Sequence, residues 1–97
     1  MTVLPEVTPV GRDSTEVVLY TTAGCRYCTH ARVILQRLAE ETPLRVREVE
    51  LESVEGVAAL QRWRVPFPPI LLVDGVLHGY GRISERKLRR RLSAARG

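Results

Sequence analysis

At 97 residues the chain has room for one domain and excludes a two-domain architecture. With 44% hydrophobic and 27% charged residues it has the apolar material for a core, and no window reaches the roughly 18 consecutive apolar residues of a membrane span. Fifteen Lys and Arg against eleven Asp and Glu leave a formal +4, too small a surplus to make nucleic acid the expected partner.

Residues 1–15 hold Pro5, Pro9, Gly11, Asp13 and Ser14 without periodicity and read as an extended lead-in to a single domain over 16–97. The opening stretch has neither a basic start nor an apolar run of signal-peptide length, so the expected compartment is the cytoplasm. Glu16 to Thr22 is rich in β-branched and aromatic residues and ends at Ala23-Gly24, the pattern of a buried strand. Past Cys28, Ala31, Ile34, Leu35 and Leu38 recur on one helical face, and this helix stops near Thr42-Pro43. Leu44 to Leu51 has strand composition, but its alternation slips between Val46 and Val49, which predicts a bulge or a partly exposed edge. Ser53 caps a second, short helix with Val57, Leu60 and Trp63 inward; Gly56 in its first turn and Pro66 beyond its end limit its length.

Ile70 to Val73 is a continuous apolar run, and Asp74-Gly75 turns it into Val76 to Tyr80 as an antiparallel hairpin. Ser84 caps the last helix, with Ile83 and Leu88 at the staple positions and Leu88, Leu92 and Ala95 as its apolar stripe. The order is β-α-β-α-β-β-α, an α/β chain whose first two strands are parallel through a crossover helix. From Arg82 onward seven basic residues face the single acid Glu85. A solvated face is the ordinary use of such a helix; the alternative is a docking surface for acidic partners, centred on Arg89-Arg90-Arg91.

The only cysteines, Cys25 and Cys28, close too small a loop to staple a fold through chain entropy. They stand where the first strand gives way to the first helix. A helix N-terminus offers unpaired N–H groups and a partial positive charge, which stabilise a thiolate on the outer residue. Cys25 is thus the expected nucleophile, with Arg26 as a nearby cation. Cys28, a turn further in, is placed to attack the mixed disulfide and release the product. Two other readings of the pair are inert buried residues and half of a metal site completed by His30 and His78.

Val17 to Leu38, VVLYTTAGCRYCTHARVILQRL, resembles the active-site strand and helix of glutaredoxins, whose usual motif is Cys-Pro-Tyr-Cys; Arg26 stands in place of that proline. The segment from Pro69 to Gly75 resembles the stretch that in thioredoxin-fold proteins begins with a cis-proline, and His78-Gly79-Tyr80 matches small bacterial glutaredoxin-like proteins. The resemblance implies a thioredoxin-like fold, a mixed four-stranded sheet with helices on both faces. It also implies a thiol–disulfide oxidoreductase that reduces protein disulfides or mixed disulfides and is restored by glutathione or a thioredoxin-type reductant. A monomer without metal or resident cofactor is expected, glutathione entering as co-substrate. The non-catalytic alternative keeps the fold as a binding module, with the cysteines as metal or iron–sulfur ligands or the basic helix as the working surface.

By the same resemblance Pro68 offers its carbonyl to a substrate main chain, although as a proline it has no N–H to complete the pairing. Tyr27 would lie against the sulfur pair, and Tyr80 near the active loop; for both, ordinary packing is the competing role. Glutaredoxins usually carry a basic residue just before the motif, and a Gly-Gly followed by an acid near the last helix, which hold glutathione's charged ends. Here Thr21, Thr22 and Ala23 precede Gly24-Cys25, and Gly79-Tyr80-Gly81-Arg82 ends in a cation. Arg82 is a candidate for attracting a carboxylate instead. Trp63 is read as core, and His30 and His78 as structural or exposed.

Overall fold

A computed structural model describes residues 14–96, with the side chains of 95 and 96 outside the description. Strand β1, Thr15–Thr21, carries Val17, Val18, Leu19 and Tyr20 buried in succession, so both of its faces are covered. It starts one residue before the strand read from the sequence, and the lead-in expected before it lies outside the described residues up to residue 13. Helix α1, Arg26–Glu41, buries Cys28, Ala31, Ile34, Leu35 and Leu38 and ends at Thr42, just before Pro43. Strand β2, Leu44–Glu50, helix α2, Val54–Trp63, strands β3, Ile70–Val73, and β4, Val76–Tyr80, and helix α3, Glu85–Arg96, complete the order.

The sheet runs β2-β1-β3-β4, with β1 parallel to β2 and antiparallel to β3, and β3 antiparallel to β4. The β3–β4 turn has two residues, Asp74 and Gly75, both at positive φ (50° and 81°), the mirror-image geometry that matches strand twist. Val17, Leu19, Leu71 and Val73 pack on one face with α1 and with Ile83, Leu88 and Leu92. Val18, Tyr20, Ile70 and Leu72 pack on the other with Val49, Leu51 and Ala59. Helices thus cover both faces, α1 and α3 on one and α2 on the other. Ile83 and Leu88 are buried at the staple positions, and the Ser84 hydroxyl accepts from the Lys87 N–H at 3.2 Å. Of the stripe read for this helix, Leu88 and Leu92 are buried, and Ala95 lies outside the described side chains.

Of the two readings of β2, a bulge or a partly exposed edge, the edge is the one found, and the inward face read for α2 is corrected. The β1–β2 register is unbroken from Thr15↔Leu44 to Thr21↔Glu50, so β2 has no bulge; the register shift falls between Leu71 and Leu72 against β4. The slip in alternation reflects an edge strand on which only Val49 is buried. In α2, Val57 is 44% exposed, and Gly56 and Ala59 are the buried residues, with Leu60 and Trp63 packed partly against the core. The reason is close approach. A Cβ on Gly56 would overlap the Glu50 carbonyl oxygen and the Leu51 backbone, so the helix rests on the end of β2 through a residue that has no side chain.

Gly56→Ala is therefore expected to destabilise the protein even though alanine favours helix by about 1 kcal/mol. Forcing backbone apart costs about 1–3 kcal/mol more than that gain recovers, a fall in Tm of several degrees for a domain of this size. Thermal unfolding followed by circular dichroism reads it; an unchanged or higher Tm would show that α2 has room to move.

Candidate active site

The site begins where β1 ends. Thr22, Ala23 and Gly24 turn the chain, Gly24 at φ +69°, and Cys25 becomes the N-cap of α1 with extended backbone. Its Sγ accepts from the Cys28 N–H at 3.1 Å, and its carbonyl accepts from the Thr29 N–H at 3.2 Å. A sulfur thus takes the place that a serine or aspartate oxygen takes at other helix starts, which directs N–H dipoles at it. Cys25 and Cys28 are joined by a disulfide with their Cα atoms 5.2 Å apart. Cys28 is fully buried and Cys25 is half-buried, so only the outer sulfur is open to attack.

A shallow groove of about 390 Å³ opens at Cys25, walled by Thr22, Ala23, Gly24, Arg26, Tyr27, Phe67 and Pro68. The Pro68–Pro69 peptide bond is cis, the place the resemblance gave it. Pro69 itself is buried, and its carbonyl accepts from the Gly81 N–H at 2.9 Å, which ties this loop to the end of β4. Of the expected site residues, Arg26, Tyr27 and Pro68 meet at the groove. Tyr80 reaches it through Phe67, whose ring stands edge-on to Tyr80 at 5.7 Å and tilted to Tyr27 at 6.5 Å. Gly79 is half-buried in β4, and Arg82 lines a second groove with His30, Ile34, Ile83, Ser84 and Glu85.

Phe67 was not singled out by the sequence reading. The available signal was modest: it is the only phenylalanine of the chain and stands between Pro66 and Pro68. Glu52 was also passed over. Its carboxylate accepts from the hydroxyl of Thr22, a wall residue of the groove, and that bond holds its pKa below the usual carboxylate value. Further along β2, Glu48 accepts from Arg32 of α1 at 2.7 Å and from Thr21 at 2.9 Å; the Arg32 guanidinium first, then Thr21, keep its carboxyl ionised below the ordinary range. This pair fastens the first turns of α1 to the sheet beneath the site.

The imidazole of His78 is pushed below its ordinary pKa by burial and then by the charges of Arg91 and Lys87. Among the described residues no group of three or more His, Cys, Asp and Glu is placed to hold a metal ion, and no helix is long and apolar enough to cross a membrane. Part of the basic charge of α3 is taken up internally: Arg89 pairs with Glu41 of α1 at 2.8 Å and with Glu85 at 3.3 Å, while Arg37 also reaches Glu85. Trp63 is half-buried, with the Arg62 guanidinium 4.6 Å above its ring.

The fold resembles solved thioredoxins. A mutant thioredoxin from Halobacterium salinarum superposes with a TM-score of 0.66 at 19% identity, over 91% of this chain and 80% of that one. An uncharacterized thioredoxin-like protein from Clostridium perfringens gives 0.65 at 13% identity, over 84% and 71%. Mitochondrial thioredoxin 3 from Saccharomyces cerevisiae, in its oxidized form, gives 0.62 at 17%, over 88% and 82%. These likenesses establish a thioredoxin-like fold. A comparison with curated protein sequences finds no match. The Glutaredoxin family profile matches residues 17–78, from within β1 through the bonded cysteine pair and the cis-proline loop into β4. The chain belongs to the glutaredoxin family.

Proposed function

We propose that the protein is a cytosolic thiol–disulfide oxidoreductase that reduces protein disulfides or mixed disulfides with Cys25 as nucleophile and Cys28 as resolving thiol. The observation that carries this reading is the cysteine pair itself: bonded, at the open start of α1, with the outer sulfur accessible and the inner one buried. In the reduced protein the Cys25 thiolate attacks one sulfur of a substrate disulfide. A mixed disulfide forms and one substrate thiolate leaves, taking up a proton from water. The Cys28 thiol then loses its proton and attacks Cys25 Sγ, which rebuilds the Cys25–Cys28 bond and expels the second substrate thiolate. Two electrons pass to the substrate, and an external dithiol or a pair of glutathione molecules returns them.

The surrounding groups serve this sequence. The Cys28 N–H that caps Cys25 Sγ in the bonded form stabilises the Cys25 thiolate of the reduced protein, the group that makes the first attack. The Pro68 carbonyl at the groove wall accepts from a substrate main-chain N–H. The test is stoichiometric. Pre-reduced protein, freed of reductant and mixed with excess insulin, is expected to transfer two electrons per chain and to end with Cys25 and Cys28 bonded, as read by mass spectrometry. Retained free thiols after prolonged mixing would rule the reading out.

A further inference from the structure

We infer that Phe67 is a specificity-determining residue: its ring forms an aromatic ledge beside Cys25 that receives the apolar side chain next to the disulfide of a polypeptide substrate. The inference rests on the oxidoreductase reading above and names the substrate class of the same site.

Phe67 is 50% exposed and belongs to neither core cluster, lying instead at the groove of Cys25. Its direction is constrained. Pro66 and Pro68 flank it and restrict the backbone on both sides. Its ring then lies directly on Gly81, which sits at φ +65°; a Cβ there would overlap the ring edge, so glycine lets the two approach. With Tyr27 at 40% and Tyr80 at 42% exposure, three half-open rings run from the first turn of α1, past the groove at Cys25, to the end of β4. The ledge is continuous with the reactive sulfur, because Phe67 and Pro68 wall the groove in which Cys25 lies.

Phe67 covers Gly81, so the Gly79 to Arg82 segment presents a ring toward the groove. Thr22, another residue of the groove, holds the exposed Glu52 carboxylate, and this acid repels a free carboxylate docked beside it. Glutathione carries a carboxylate at each end; Arg26 can meet one of them, but among the described residues no second cation walls the groove for the other. A polypeptide segment has its carbonyls tied up in neutral peptide bonds, so it escapes that repulsion and gains aromatic contact.

The experiment uses two disulfide-linked peptides that differ only in the residue beside the cystine, phenylalanine in one and glycine in the other. Each is mixed with pre-reduced protein under single-turnover conditions, and the released thiol is quantified after acid quench. Electrons come only from the Cys25–Cys28 dithiol. The wild type is expected to reduce the phenylalanine peptide about tenfold faster, and Phe67→Ala to bring that ratio close to one. Phe67→Leu, which keeps apolar bulk, is expected to hold a ratio of about threefold and carries the test should Phe67→Ala fail to fold. Equal wild-type rates would overturn the inference, as would a preference that survives in Phe67→Ala or a loss in both peptides that leaves the ratio unchanged. Failure of the wild type to reduce either peptide would instead overturn the oxidoreductase reading, and this inference with it.

Discussion

Cys25→Ser is expected to abolish disulfide reduction, lowering kcat/KM by about four orders of magnitude or more, as removal of a nucleophile does where nothing can replace it. Cys28→Ser should behave differently. Cys25 keeps its place as N-cap and its accepted N–H, so the first attack still occurs, but the mixed disulfide cannot be resolved from within. The variant is expected to accumulate a covalent complex with substrate that excess reductant releases. A non-reducing gel and intact mass of both variants against a protein disulfide separate the two roles. Alkylation gives a second reading. In the reduced wild type iodoacetamide is expected at Cys25 well before Cys28, because Cys28 is fully buried and Cys25 faces the groove. Modification of Cys28 first would reverse the assignment.

Parts of this site were legible before any coordinates. An apolar β-branched run that stops at Ala23-Gly24 has to hand over to another element, and the helical spacing of Ala31, Ile34, Leu35 and Leu38 fixes which one; the cysteines fall at the junction by elimination. The hairpin was legible because Asp-Gly between two apolar runs tolerates positive φ, as Asp74 and Gly75 show. The inward face of α2 was not. Periodicity favoured Val57, but the backbone of β2 approaches so closely that a glycine side is the only one that fits, and such an approach leaves no mark on hydrophobic spacing.

Phe67 escaped for a related reason. A half-exposed aromatic in a proline-rich loop has no period, and its contacts with Tyr27, Tyr80 and Gly81 join residues far apart in the chain. The basic tail was read by composition alone, which counts charges without their partners. Arg89 lies 48 residues from Glu41, so only the packing of α3 beside α1 reveals that it is engaged. Exposed pairs of this kind contribute little to stability, yet they reduce the free charge that α3 offers a partner.

Glutathione-coupled turnover is expected to be slow, with a thioredoxin-type donor at least as efficient. Three contacts that the family resemblance implies are missing: a base before the motif, an acid after Gly79-Tyr80-Gly81, and the N–H that Pro68 does not have. Charge-assisted contacts are worth about 1.5–3 kcal/mol apiece and a neutral hydrogen bond about 1, so even the lower values together remove about three orders of magnitude in affinity. Arg26 opposes this loss. It walls the groove and, among the described residues, forms no ion pair, so it can take one glutathione carboxylate and restore about one to two of those orders. Arg82 also has no ion pair among the described residues, but it lines the groove with His30 and Glu85 rather than the one at Cys25. The net expectation is binding about ten- to a hundredfold weaker than a complete site would give. Cys28→Ser linked to glutathione through Cys25 tests it directly: exchange with free labelled glutathione should be rapid and the tripeptide loosely ordered by NMR. Arg26→Ala should then lower glutathione-driven turnover about tenfold further, with a smaller effect on the thioredoxin-type donor. A tightly held tripeptide with fast glutathione-driven turnover, insensitive to Arg26→Ala, would mean that glutathione docks through groups other than those assigned here.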